Sequence, residues 1–241
     1  MGFTRSVGIS ASEDRLGKLI QERLRPGADK ESIDRRIWNL FGEEWCVMFT
    51  DLSGFSRGVA EFGIIHFLQI IYESQRILIP IIENHEGILL KTEGDSLLVI
   101  FRKVDRALEA AVAMQMALHL YNVDRDETEK VLLCVGLGFG KVLRIGDADA
   151  FGAEVNAASK LGEDSAKPWE ILVTEAVQAA GAPPAGVAFL PTDMEVPGGG
   201  KVFRVEYALD GSSTRPAGGT IVPPRPKVLH SPPTARDLKH R

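Results

Sequence analysis

The sequence predicts an α+β fold: a sheet containing antiparallel strands, with helices against one face. Three observations carry this. Short apolar runs rich in strand formers alternate with longer stretches of helical periodicity, in the order βαββαβ with further elements behind. The runs at 88–92 and 96–101 are joined by Glu93-Gly94-Asp95, which reads as a hairpin turn and makes that pair antiparallel. Of 241 residues, 44% are hydrophobic and 25% charged, the balance of a globular chain able to bury one core.

The elements follow in order. Ser10-Ala11-Ser12-Glu13 fits a capping box, and Leu16, Leu19, Ile20 and Leu24 then recur at helical spacing until Pro26-Gly27 stops the helix. A second helix runs from Lys30, with Ile33, Ile37, Leu40 and Phe41 on one side and Gly42 as its stop. Residues 45–50 form a strand ending at Asp51 and a glycine turn. A long apolar helix is predicted over 57–83, with Pro80 ending or kinking it. The hairpin strands come next, then an alanine-rich helix over 104–120 and a strand over 131–142. A helix over 153–162, a strand over 171–174, a short helix and two strands near 187–190 and 202–207 complete the domain.

Composition excludes several classes. The most apolar stretch, 64–82, is broken by His66, Gln69, Glu73, Ser74, Gln75 and Arg76, so no membrane span is expected. No secretory segment is read at the start, and Cys46 and Cys134 sit in apolar runs with no disulfide framework, so a cytoplasmic protein is expected. The net charge of −5 divides into −10 over residues 1–210 and +5 over 211–241. A domain that acidic does not suit nucleic acid, which needs clustered Lys and Arg. The tail holds six of the 13 prolines and no aromatic residue, and is expected to be disordered.

Two aspartates stand at strand ends in turns containing glycine: Asp51 in Phe49-Thr50-Asp51-Leu52-Ser53-Gly54-Phe55, and Asp95 in Lys91-Thr92-Glu93-Gly94-Asp95. In a βαβ-hairpin layout the two carboxylates could meet at one sheet end. That pair would suit Mg²⁺, which takes a few carboxylates and draws its other ligands from water and phosphates. Ser53, Gly54, Phe55 and Ser56, turning into a helix, would offer N–H groups to anionic oxygens. The same residues also serve as ordinary turn formers. The spacing around His66 and His119 is not that of a metal site. Gly136-Leu137-Gly138-Phe139-Gly140 lies inside a strand and lacks the Lys and Ser/Thr of a P-loop, so it reads as close backbone approach.

Four segments, in order and over about half the chain, carry a resemblance: FTDLSGFS at 49–56, KTEGDSLLVIF at 91–101, GLGFGKV at 136–142 and DAFGAEVNAASKL at 149–161. They resemble the catalytic domain of class III nucleotidyl cyclases, a ferredoxin-like, palm-type fold. The resemblance implies that Asp51 and Asp95, with the Leu52 carbonyl, hold two divalent ions, Mg²⁺ or Mn²⁺. It implies that Lys91 and Asp149 read the base, where members using GTP typically carry Glu and Cys. A Lys donor and an Asp acceptor complement adenine N1 and its 6-amino group. Asn156 matches the ribose-orienting asparagine. Lys160 departs from the usual arginine that stabilises the transition-state phosphate; it keeps the charge and loses the planar fork. Lys201, in Val196-Pro197-Gly198-Gly199-Gly200-Lys201, stands where a late glycine-containing loop brings a lysine toward pyrophosphate.

The implied protein is an adenylate cyclase converting ATP to 3′,5′-cyclic AMP and pyrophosphate. It is expected to work as a C₂ homodimer whose sites take the metal aspartates from one chain and the base pair, asparagine and cation from the other. The expected division is an N-terminal helical extension over 1–43, the catalytic domain over 44–209 and the basic tail over 210–241. Two rivals stand beside this reading: a non-catalytic cyclase-homology module that binds nucleotide, and a cyclase for GTP or a pyrimidine nucleotide.

Overall fold

The computed structural model describes residues 11–53 and 63–208; the tail, the Ser10 cap and Gly54, Phe55 and Ser56 lie outside the described residues. Helices α1 (Ala11–Arg23) and α2 (Lys30–Phe41) precede strand β1 (Gly42–Leu52) and helix α3 (Ile64–Asn84). Strands β2 (Ile88–Glu93) and β3 (Ser96–Phe101), helix α4 (Val104–Asn122) and strands β4 (Leu133–Ile145) and β5 (Asp149–Phe151) follow. Helix α5 (Ala153–Ser159) runs into a π-helical turn (Lys160–Ser165), and β6 (Ile171–Thr174), α6 (Glu175–Ala180), β7 (Ala188–Val196) and β8 (Gly200–Glu206) end the domain. The eight strands form one sheet in the order β2-β3-β1-β4-β6-β8-β7, with β5 added to β4. Among the described strands only β4 and β6 run parallel; the other pairs are antiparallel.

Period-2 alternation splits β1 between two cores. Cys46 and Met48 face the large core beneath α3 and α4, where Leu78, Ile82, Leu108, Met114 and Leu118 are buried. Trp45 and Val47 face the opposite side, with Leu98, Ile100, Val142, Val155 and Ala158. Helices were expected on one face; α5 covers part of the second. The reason lies in β4. A Cβ on Gly136 would stand 2.2 Å from the Ala158 carbonyl oxygen, and one on Gly138 would stand 2.3 Å from that of Glu154. The bare strand lets α5 lie on the sheet backbone itself, which is the close approach the glycine run predicts.

The N-terminal helices pack on one end of β4. Leu19, Ile33, Ile37 and Phe41 bury against Ile145. The Asp29 carboxylate caps α2 by accepting from the Ser32 N–H at 3.0 Å, and Arg23–Asp34 and Arg36–Glu22 ion pairs brace the helices at 2.6 and 2.7 Å. Ile20, Leu24 and Leu40, expected on the apolar faces, are exposed. Gly42 is both the cap of α2 and the first residue of β1, so no loop separates them. Pro80 does not end its helix, which runs on to Asn84. Its fixed φ suits a helix, and buried Leu78 and Ile82 hold the turns on either side against the sheet.

Candidate active site

Asp51 continues the Trp45, Val47, Phe49 alternation and so belongs to the α5 face of the sheet. Ser96, the first residue of β3, donates its hydroxyl to Asp51 Oδ1 at 3.3 Å. Asp95 sits beside Ser96 in the tight turn that Gly94 makes with φ +59°. Burial, and then the Asp95 charge, push the Asp51 carboxyl up to about 6. Burial also raises Asp95. The nearby Glu163 charge raises both, and the Leu52 N–H draws both back down. Asp95 Oδ2 is buried with no hydrogen-bond partner among the described residues. Two half-buried carboxylates, each raised first by burial and one with an orphaned oxygen, form a donor set that fits a hard divalent cation. Among the described residues no three His, Cys, Asp or Glu side chains gather into a metal cluster, so the remaining ligands would come from the Leu52 carbonyl, water and a bound phosphate.

The meeting of Lys91 with Asp149, the pair expected to read the base, depends on a β-bulge. Leu89 pairs with Val99 and packs in the α3/α4 core. Simple alternation would leave Lys91 on that same side. Instead the register shifts between Leu89 and Lys91, and Lys91 pairs with Leu98 on the α5 face. There Lys91 Nζ stands 3.5 Å from Asp149 Oδ2 and 2.5 Å from Glu93 Oε1. These neighbours, Glu93 first, raise the Lys91 ammonium above its usual range. Asp149 opens β5, and its Oδ1 accepts from the Ala150 N–H at 2.9 Å, which fixes the carboxylate. Phe49 and Leu98 floor a cleft whose polar lining is Lys91, Glu93, Ser96 and Asp149.

Asn156 and Lys160 stand one helical turn apart at the junction of α5 with the π-helical turn, both exposed. Glu154 anchors the start of that helix: its Oε2 accepts from Thr174 Oγ1 at 2.8 Å and from the Phe139 N–H at 3.1 Å. Ser53 does not offer its amide to an anion, because that N–H already donates to the Leu132 carbonyl at 2.8 Å. Lys201 is exposed on β8, across from Glu195, and the turn before it packs Gly198 on Ala153 and Gly199 on Ala157. Three residues of the site were missed by sequence reading: Glu93, Ser96 and Glu154. Glu93 and Ser96 flank a turn and look like turn chemistry; only the bulge reveals that Lys91 and Glu93 face the α5 side of the sheet.

Residues 42–210 match the sequence model of the adenylate and guanylate cyclase catalytic domain. A putative adenylate cyclase 3 of Rhizobium meliloti is 29% identical over 148 residues, which are 61% of this chain and 24% of that protein. An adenylate cyclase of Streptomyces coelicolor is 30% identical over 139 residues, 57% of this chain and 32% of that protein. The chain thus spans a third or less of the length of these curated relatives. Among solved structures, the guanylate cyclase domain of a protein from Catenaria anguillulae, in complex with GTP, superposes with a TM-score of 0.57 at 21% identity, covering 68% of this chain and 97% of that one.

Proposed function

The chain belongs to the adenylate and guanylate cyclase catalytic-domain family, and from that premise we propose that it converts ATP to 3′,5′-cyclic AMP and pyrophosphate. Two of its curated relatives carry adenylate cyclase names while a structural neighbour was solved with GTP, so the base must be argued from this chain's own residues. The observation that supports ATP is the pairing of Lys91 with Asp149 over an apolar floor of Phe49 and Leu98. Adenine presents an acceptor at N1 and a donor at its 6-amino group, which a Lys donor and an Asp acceptor complement. Guanine presents the opposite polarity there and would leave buried polar groups unpaired.

Two divalent cations, held by Asp51, Asp95 and the Leu52 carbonyl, would acidify the ribose 3′-hydroxyl and offset the charge of the triphosphate. The chain's residues do the positioning. Ser96 orients Asp51 from the β3 side. Asn156 orients the ribose, and Lys160 offsets charge building on the α-phosphate oxygens as the 3′-oxygen attacks in line. Gly54, Phe55 and Ser56 contribute amides to the triphosphate, and Lys201 meets the departing pyrophosphate. Asn156 on α5 and Lys160 in the π-helical turn are both exposed, which suits residues that complete a site on a second copy of the chain.

Purified protein incubated with each of the four NTPs and Mn²⁺, with products identified by mass spectrometry, tests this. Cyclic AMP as the main product is expected. Cyclic GMP as the main product would overturn the base assignment. No cyclic product from any NTP, with nucleotide binding retained, would favour a regulatory module instead, a reading to which the lysine at 160 lends support.

A further inference from the structure

Among the described residues lining the base cleft, Glu93 is the one that the proposed chemistry leaves without a task. Its place there follows from the strand. Beyond the bulge at Leu90, Lys91 and Glu93 are two residues apart on β2 and share a sheet face, opposite Leu98 and Ser96. Lys91 therefore stands between two carboxylates, and unequally: 2.5 Å from Glu93 and 3.5 Å from Asp149.

The inequality matters for recognition. An ammonium has three donors and no acceptor, and a carboxylate has only acceptors. A tight Lys91–Asp149 pair would spend Asp149 Oδ2 on Lys91, and Oδ1 is already committed to the Ala150 N–H. Asp149 would then have about half of its acceptor sites taken, and Oδ2 would be shared between the ammonium and a purine amino group. We propose that Glu93 is a positioning residue for base recognition, drawing the Lys91 ammonium aside so that Asp149 Oδ2 stays open to the exocyclic amino group of the substrate. The proposal rests on the reading of this cleft as the base site. One donor of Lys91 goes to Glu93, and the others remain for the ring nitrogen. Glu93 itself touches no reacting atom.

The test compares wild type, Glu93→Gln and Glu93→Asp in the full chain. The first readout needs no turnover: isotope-labelled lysine is titrated by NMR, with Lys91→Arg used to assign the signal. The Lys91 signal should titrate at lower pH in Glu93→Gln than in wild type. The second readout is the ATP-to-GTP ratio of kcat/KM. It should fall roughly three- to tenfold in Glu93→Gln, the effect of weakening one hydrogen bond to the base at a partly exposed site, with kcat for ATP nearly unchanged and KM raised. Glu93→Asp should recover most of the ratio. An unmoved Lys91 titration overturns the proposal. A moved titration with an unmoved ratio overturns it as well, since the pair would then be an ordinary surface ion pair. Should wild type yield no cyclic product from any NTP, the catalytic reading fails by itself. The same ratio is then read as dissociation constants for ATP and GTP by calorimetry, and it decides Glu93 separately.

Discussion

Ser96 Oγ and Asp51 Oδ1 stand 3.3 Å apart at the end of the β1–β3 ladder, and Ser96 also lines the cleft of Lys91 and Asp149. One serine thus joins the carboxylate pair to the Lys91–Asp149 cleft on a single sheet face. Both depend on the same register of β3, in which Thr50 lies opposite Leu97 and Lys91 opposite Leu98. A slip by one residue would turn both to the wrong face.

The cost of burying the Asp51 carboxylate, with the Asp95 charge beside it, should be visible as stability. Asp51 titrates near 6 in the folded chain against an ordinary 3.8, so the fold holds that proton more tightly than the unfolded chain does. Ionising it costs stability as pH rises through that window, and the full cost is present above about pH 6. Asp51→Asn should therefore abolish turnover yet raise the melting temperature of the metal-free protein at pH 7.5. The gain should be about 1 kcal/mol after discounting for solvent, or roughly 2–4 °C. The difference should shrink toward pH 5. Scanning calorimetry in chelator reads both arms, and a lower melting temperature at pH 7.5 would contradict the account.

Lys160→Arg should raise kcat with little change in KM. A bidentate grip on the transition-state phosphate adds on the order of 1–2 kcal/mol, roughly five- to thirtyfold. Steady-state kinetics with Mn²⁺-ATP decide this. A large loss of activity would mean that the π-helical turn beside Lys160 shapes the pocket around lysine.

Two glycines should respond to alanine with opposite signs. At Gly136 the new Cβ would meet the Ala158 carbonyl oxygen at 2.2 Å, so α5 must lift from the sheet, at a cost of about 1–3 kcal/mol. At Gly17, within α1, nothing lies within 4 Å, and alanine should stabilise by about 0.5–1 kcal/mol. Denaturant unfolding of the two variants gives the comparison. Equal effects would refute the close packing of α5 on β4.

Asp51→Ala and Lys91→Ala should each be inactive alone and complement each other when co-expressed. In a mixed two-fold dimer one site collects both lesions and the other none. Random exchange makes about half the dimers mixed, so activity should recover to about a quarter of wild type at equal total protein. Varying the ratio should give a maximum near equal amounts. No recovery, with mixed dimers shown by tagged pull-down, would mean that both residues serve one site from one chain.

The main elements were legible because their signals are local: a glycine turn between apolar runs for β2–β3, alanine-rich periodicity for α4, bare glycines for the approach of α5. The aspartate pair was legible from its turns once the strand order was read. What escaped depends on tertiary context. The bulge at Leu90 has no turn residue to announce it, so alternation puts Lys91 on the core side when the structure has it in the cleft. The three-residue strand β5 is too short for periodicity, and it carries Asp149. Pro80 read as a breaker because propensity cannot see Leu78 and Ile82 pinning the helix from both sides.

The missing loop between α2 and β1 has a mechanical meaning. The helix hands its last turn to the strand at Gly42, where a Cβ would already collide with the Trp38 carbonyl at 2.4 Å, so the joint has neither slack nor room. From that joint β1 runs unbroken to Asp51, about 30 Å at the usual strand rise. A torque on α2 is delivered straight into the strand bearing one of the two aspartates, with no flexible hinge on the way to absorb it.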